Sequence, residues 1–475
     1  EGNTAVGYQS LLSILTGDKN VAVGYGAGDA LTTGGSNVMI GQSAGTGSVD
    51  VDGAVIIGSN AGIANMTDGA DNTVAIGTDA LRNLTSGGQN VAIGYESGED
   101  ITTGASNTAL GYGAGKNIDT ASQNVALGAY AGWKIGHADA DANVFIGMAA
   151  GAGGDSTDAN NTASNNIAIG QKTLGGDTYS SDGSAFTATS NVAIGYQAMT
   201  LATIGRFNTA IGHEALSTED VGDYSTAIGW RALWKQNSDS NNENTFNTGV
   251  GAGAGYYNVT GQYNTWMGVD AGSGASGQSN SKNTGVGAVS LEEVTTGSSN
   301  VAIGFSAGRA LTTGNNNVAI GASGASIVAA LRNSTDVDNV VAIGQGAMVA
   351  NATSDADGAV AVGYKALEDL TEGAGNTALG YQSGMNITTG NYNTTLGHNA
   401  GATLVDDSNN VLIGYQAGES SVASNTVAIG FQSMKASVTT GANGTVAIGY
   451  QALTALTSGA ANIAIGYTAL AQHTT

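Results

Sequence analysis

The chain of 475 residues contains no proline and no cysteine. Without cysteine there is no disulfide framework and no thiolate metal site, a composition compatible with an extracellular life. Without proline every position keeps its backbone N–H, which suits a chain that is nearly all hydrogen-bond ladder and tight bend. Charge is scarce and one-sided: Lys plus Arg number 13 against 37 Asp plus Glu, leaving −24. That balance argues against a nucleic-acid partner, since phosphates are repelled and no counterions are released. No apolar run reaches the roughly 18 residues of a membrane helix, so no membrane insertion is expected. No signal peptide is visible at Glu1, which reads as a mature or trimmed chain. Glycine is in excess, at 76 residues, about twice ordinary usage. Regularly placed aliphatic residues nevertheless argue against disorder.

One phrase recurs throughout: Asn, Val or Thr, Ala, Ile or Val, Gly, as in Asn20–Gly24, Asn90–Gly94, Asn300–Gly304 and Asn462–Gly466. There are 26 copies, and 15 of the 25 spacings between closing glycines are 17 residues. A fixed period over the full length marks one repeat array spanning 1–475 rather than several domains. β-branched residues, Gly and Asn dominate and no stripe recurs at 3.6, so a helix is excluded. The pattern predicts an all-β fold, a parallel β-solenoid (β-roll) of about 26 coils, mostly 17 residues per coil. Within a copy the period is two, so the residue before the closing Gly and the one two earlier share a face. These large aliphatics are expected to form the core, with the intervening Ala (Ala22, Ala92, Ala302, Ala464) facing the other way. A second aliphatic anchor seven residues after the Gly (Leu31, Ile101, Leu311, Ile387) suggests a second short strand per coil. The Asn opening 19 of the 26 copies would stack into a ladder at a bend; turn preference alone is the other reading.

The phrase Asn-Thr-Ala-Val-Gly-Tyr-Gln-Ser at 3–10, with Leu-Thr-Thr-Gly at 31–34, resembles the repeat of bacteriophage tail-fibre shafts. It is also similar to the head repeats of trimeric autotransporter adhesins, left-handed β-rolls packed three chains together, although the unit here is longer. The resemblance implies a non-enzymatic structural fibre for attachment, homotrimeric, on a cell surface or virion or otherwise extracellular. The row of Ala, with Gly249 and Gly285, would let another sheet approach closely; facing water or filling a tight bend is the simpler role. The alternative to a fibre shaft is a self-assembling extracellular filament built by head-to-tail stacking. Joining Thr475 to a second Glu1 would set Gly466 and the next Gly7 sixteen residues apart, the spacing already used from Gly414 to Gly430. A fragment of a longer shaft accounts for the termini equally well.

Ligand recognition is expected in the interruptions. Insertions at 148–165, 171–190, 230–246 and 322–339 are rich in Ser, Asp, Asn and Thr and read as surface loops. Trp230 and Trp234 fall in one of them, and Tyr256, Tyr257 and Trp266 follow within one to two coils. Together they form a candidate aromatic patch for a cell-surface glycan or receptor, or for a subunit contact; packing over a widened bend is the alternative. Asp pairs at Asp50/Asp52, Asp139/Asp141 and Asp336/Asp338 raise calcium, but no calcium-roll or EF-hand phrase accompanies them, so a solvated acidic surface is favoured. His137, His213, His398 and His473 show no metal-ligand spacing. The carboxylate neighbours Glu292-Glu293 and Asp406-Asp407 are the nearest approach to a glycosidase pair, and no nucleophile elbow is present. Ice binding is disfavoured because adjacent Thr side chains alternate faces. No enzyme activity, metal or cofactor is expected.

Overall fold

A computed structural model describes residues 1–136, 138–153, 161–175, 186–241, 243–277, 279–324, 328–420, 423–436 and 440–475. The insertions at 148–165, 171–190, 230–246 and 322–339, and His137, therefore lie wholly or partly outside the described residues. The chain divides into two compact units, Glu1–Phe246 and Asn247–Thr475. The first carries strands β1 (Thr4–Val6) to β13 (Thr226–Ile228), the second β14 (Thr248–Val250) to β26 (Ile463–Ile465). Each strand is three residues long and pairs in parallel with the equivalent strand one coil on, so each unit is a β-solenoid of about 17 residues per turn. The register is unshifted: Val21, Ala22 and Val23 face Val38, Met39 and Ile40, and the same holds across the longest spacing, where Ile167 faces Val192. Insertions are therefore extruded without moving the ladder.

Among the described residues each coil has one strand, not two. The second aliphatic anchor is buried as expected, Leu31, Leu311 and Ile387 among others, but it lies just after the turn and outside any strand. The ladder of hydrogen bonds still continues through the bends: Gly26 N–H donates to the Tyr8 carbonyl at 2.9 Å and Thr32 N–H to the Val49 carbonyl at 2.8 Å. Coil on coil, the bends satisfy their backbone groups as a sheet does, and no second strand is needed. The closing Gly is dictated by this geometry. At Gly397, φ is +133 and an added Cβ would lie 2.6 Å from the carbonyl oxygen of Gly414 in the next coil, so no other residue fits.

The inside and outside of the strand are the reverse of the sequence expectation. The middle residue is the buried one in nearly every strand, and Ala22, Ala92 and Ala302 are fully enclosed. The flanking aliphatics face outward: Ile93, Ile303 and Leu379 are exposed. The reason is room. A coil this short, closed by turns, leaves space opposite the strand for one small residue, the turn residues and the anchor.

The two inward positions of a coil, the middle strand residue and the fourth residue after the closing Gly, are never both large. Where the middle strand residue is large (Met39, Ile56, Phe145, Trp266, Leu412), the fourth residue after the closing Gly is itself Gly (Gly45, Gly62, Gly151, Gly272, Gly418). Where that turn residue is large, as at Leu81, Leu216 and Leu453, the strand residue is Ala75, Ala210 or Ala447. Both positions point into one space, and a Cβ on Gly418 would come within 2.8 Å of Leu412.

The Asn column is a buried ladder. Asn393 N–H donates to Asn376 Oδ1 at 2.9 Å, and Asn410 N–H donates to Asn393 Oδ1 at 3.0 Å. Asn393 Nδ2 donates to the Asp407 carbonyl at 2.8 Å, fastening the strand start to the opposite bend one coil on. The ladder runs through the 23- and 25-residue spacings from Asn143 to Asn166 to Asn191. Turn preference alone would not place these amides in register.

Candidate functional site

The candidate aromatic patch separates into three environments. Trp230 and Trp234, in the first unit, bracket Arg231, whose guanidinium lies 4.8 and 4.7 Å from the two rings. Lys235 Nζ lies 3.7 Å over Trp234, and Arg231 Nε also bonds the Glu214 carboxylate. The ring faces are thus engaged by the chain's own cations. In the second unit Tyr256 and Tyr257 meet edge to face at 4.5 Å. Trp266 is fully buried and offers no surface to a ligand. It occupies the middle of its strand between Gly249 and Gly285, which pair with it on either side. A Cβ on Gly285 would come within 2.8 Å of the indole. These two glycines therefore make room inside, rather than letting another sheet approach outside.

In each Asp pair that raised calcium, one member (Asp52, Asp141, Asp338) has another task. Asp52 Oδ1 accepts the Gly35 N–H at 2.6 Å and Asp71 Oδ1 accepts the Asp52 N–H at 2.7 Å. Asp141 does the same for Ser122, and Asp338 and Asp357 for Asn315 and Asp338. This is a second polar ladder, half exposed, at the bend before the Asn column; Asn391, Ser408 and Ser424 continue it elsewhere. Sequence reasoning missed it because Asp, Asn and Ser share the position and only their register unites them. Among the described residues no three His, Asp or Glu side chains converge on a metal-sized space. Glu292 is paired with Arg309, and Asp407 accepts from Ser424 Oγ at 3.2 Å. Among the described residues no helix is long and apolar enough to cross a membrane.

Burial is the leading reason that Asp29, Asp100, Asp220, Asp270, Asp357 and Asp407 hold their protons above the ordinary carboxylate range. Around Asp357 the charges of Asp338, Asp336 and Asp355 add to it. Glu96 is pushed the other way by its bond from Lys116 Nζ at 2.6 Å.

The outward face carries three further columns. The first and third residues of each strand form two rows of Val, Thr, Ile and Leu. The residue after the closing Gly forms the third. In the second unit this third column is aromatic without interruption from Tyr364 through Tyr381, His398, Tyr415, Phe431 and Tyr450 to Tyr467. Successive ring centroids are 4.8 to 5.3 Å apart. Burial of the middle strand residue forces its neighbours out, and the parallel register stacks like on like. His398 is one ring of this stack.

Compared with known protein families, the chain matches no family model, and no curated protein shows significant similarity to it.

Proposed function

We propose that this chain is a non-enzymatic structural fibre segment that works in extracellular attachment, its copies associating through their outer aliphatic rows. The observation that carries the reading is the outward pair of rows of Val, Thr, Ile and Leu, half-exposed to exposed, that repeats along the strands of each unit. Ile93, Leu110, Ile303 and Leu379 are solvent-accessible although large and apolar. Within each unit the two rows make an apolar face of the kind that marks an interaction surface. A second copy presents the same rows at the same spacing, which makes the chain its own best-matched partner. The repeat's resemblance to tail-fibre shafts and adhesin heads points to the same role, as does the scarcity of charge.

Sedimentation of the purified chain tests this. A defined homo-oligomer that dissociates when Ile93→Glu and Ile303→Glu are introduced together, with unchanged circular dichroism, is the expected result. A monomer at all concentrations would count against it. Micrographs showing threads of unlimited length in place of short rods would favour the head-to-tail filament.

A further inference from the structure

The two aliphatic rows lie inside a wider uncharged strip. In each coil the outward stretch runs from the residue before the Asn column, through the two rows, to the residue after the closing Gly. The chain has 37 carboxylates, and none falls on these four outward columns in any of the 26 coils. Carboxylates begin one residue beyond each edge, at Asp338 and Asp357 on one side and at Asp270 on the other. A chain of net charge −24 therefore keeps one strip clear of negative charge. Two copies of the same sign can meet there without setting like charges together.

The two edges of the strip complement one another in size. In the second unit the seven coils from Tyr364 to Tyr467 carry a ring at the edge after the Gly. Six of them have Gly, Ala or Asn at the opposite edge, as in Gly375 with Tyr381, Asn425 with Phe431 and Gly444 with Tyr450. The exception, Tyr392, shares its coil with the smallest ring of the column, His398. Conversely, Tyr263 and Lys282 share their coils with Val269 and Ala288. The backbone does not impose this pairing. Left-handed φ favours Gly and Asn at the first edge, yet Tyr263 and Tyr392 occupy it at φ +60 and +54. Packing within one chain does not impose it either, because the strand stands between the two edges of a coil. In the first unit the rule is looser, and rings occupy both edges at Phe207 with His213 and at Tyr224 with Trp230.

A second copy accounts for the match when it runs in the same direction. Two such faces packed with their axes parallel set the ring edge of one against the small edge of the other, coil for coil. Antiparallel packing would set like edges together. Resting on self-association through the outer rows, we propose that copies of this chain pair parallel and in register along the second unit. The ring column of one copy then lies along the Gly, Ala and Asn column of its neighbour.

The chain has no cysteine, so introduced disulfides report the pairing. A chain carrying both Asn409→Cys and Tyr415→Cys, two exposed positions at opposite edges of one coil, is oxidised under native conditions. It is run on a non-reducing gel, with sedimentation on the same sample. Disulfide-linked chains up to the oligomer size seen in sedimentation are expected. Each single variant should link at least about tenfold less, because only the unlike edges come within disulfide reach. Asn409→Cys with Tyr450→Cys, two coils apart, should link as poorly. A size exchange checks the same contact without cysteine. Asn425→Tyr should weaken association at least about tenfold by crowding the neighbour's Phe431, and Phe431→Ala in the same chain should restore it. Circular dichroism should be unchanged throughout. The pairing is overturned if the double variant does not link, if either single variant or the out-of-register pair links as readily, or if Phe431→Ala fails to restore association. A monomer in sedimentation overturns both the pairing and the self-association it rests on, whereas an oligomer without these links overturns the pairing alone.

Discussion

Coils closing at Gly24 to Gly94 and coils closing at Gly363 to Gly466 have the same backbone and the same ladder, yet opposite outer columns. After the closing Gly the first set reads Tyr25, Gln42, Ser59, Thr78, Tyr95, and the second reads seven stacked rings. The strands pair with identical register in both. The column after the glycine therefore contributes little to specifying the coil and is free to vary. The interior shows the reverse behaviour, since a large strand residue is tolerated only with a Gly at the facing turn. Fold and surface chemistry are thus separated by two or three residues within one short phrase.

The contrast can be broken most severely at the residue both regions share. Gly397→Ala should prevent folding or cost more than ~3 kcal/mol in denaturant unfolding, because a Cβ meets the next coil's carbonyl and φ is left-handed. Gly41→Ala should cost as much in the first region; a mild effect in either would mean that the coils are not stacked as described. Next comes the Asn ladder. Asn393→Ala leaves the N–H of Asn410 and the carbonyl of Asp407 without their side-chain partner, and should cost about 1–3 kcal/mol. Buried Trp266 gives a smaller and opposite test. Its Nε1 makes no hydrogen bond, so Trp266→Phe should be neutral or stabilising by up to ~1 kcal/mol, whereas Trp266→Ala should lose about 3–5 kcal/mol.

Acidity sharpens the comparison of the carboxylates. The buried Asp residues have folded-state proton affinities above their unfolded values, so the folded chain holds more protons in the window just above the ordinary Asp range of about 3.9. Stability is then lower at neutral pH and rises as pH falls toward that value. Relief of the −24 net charge acts in the same direction. A melting temperature that rises between about pH 7 and about pH 4.5 is expected, and a steady fall over that window would contradict the assignment. The smallest loss of stability belongs to the outer column: Tyr415→Ser, which removes one half-exposed ring from the stack, should cost about 1 kcal/mol.

The period, the strand position and the Asn ladder were legible because each repeats in every coil and backbone pairing must follow it. The direction of the strand was not. A two-residue alternation says that Ala302 and Ile303 lie on opposite faces, but not which face is inside. The usual rule, large aliphatics inward, fails where a coil is too narrow to enclose them. The signal was present in the rule that the two positions are never both large, as Met39 with Gly45, Phe145 with Gly151 and Leu81 with Ala75 show. Trp266 was misplaced for the same reason, since its flanking Gly249 and Gly285 were read as an outer surface. The outer aromatic column was hidden by its spacing: residues 16 to 19 apart become neighbours only when coils are stacked.

The chain's lack of cysteine makes the central claim directly measurable. Single substitutions Ala302→Cys and Ile303→Cys place one thiol on each face of the same strand, and their rates of reaction with a thiol reagent can be compared under native conditions. Fast labelling at 303 with strong protection at 302 is the expected result, since Ile303 is 40% exposed and Ala302 is fully buried. Rapid labelling at 302 with protection at 303 would contradict the account.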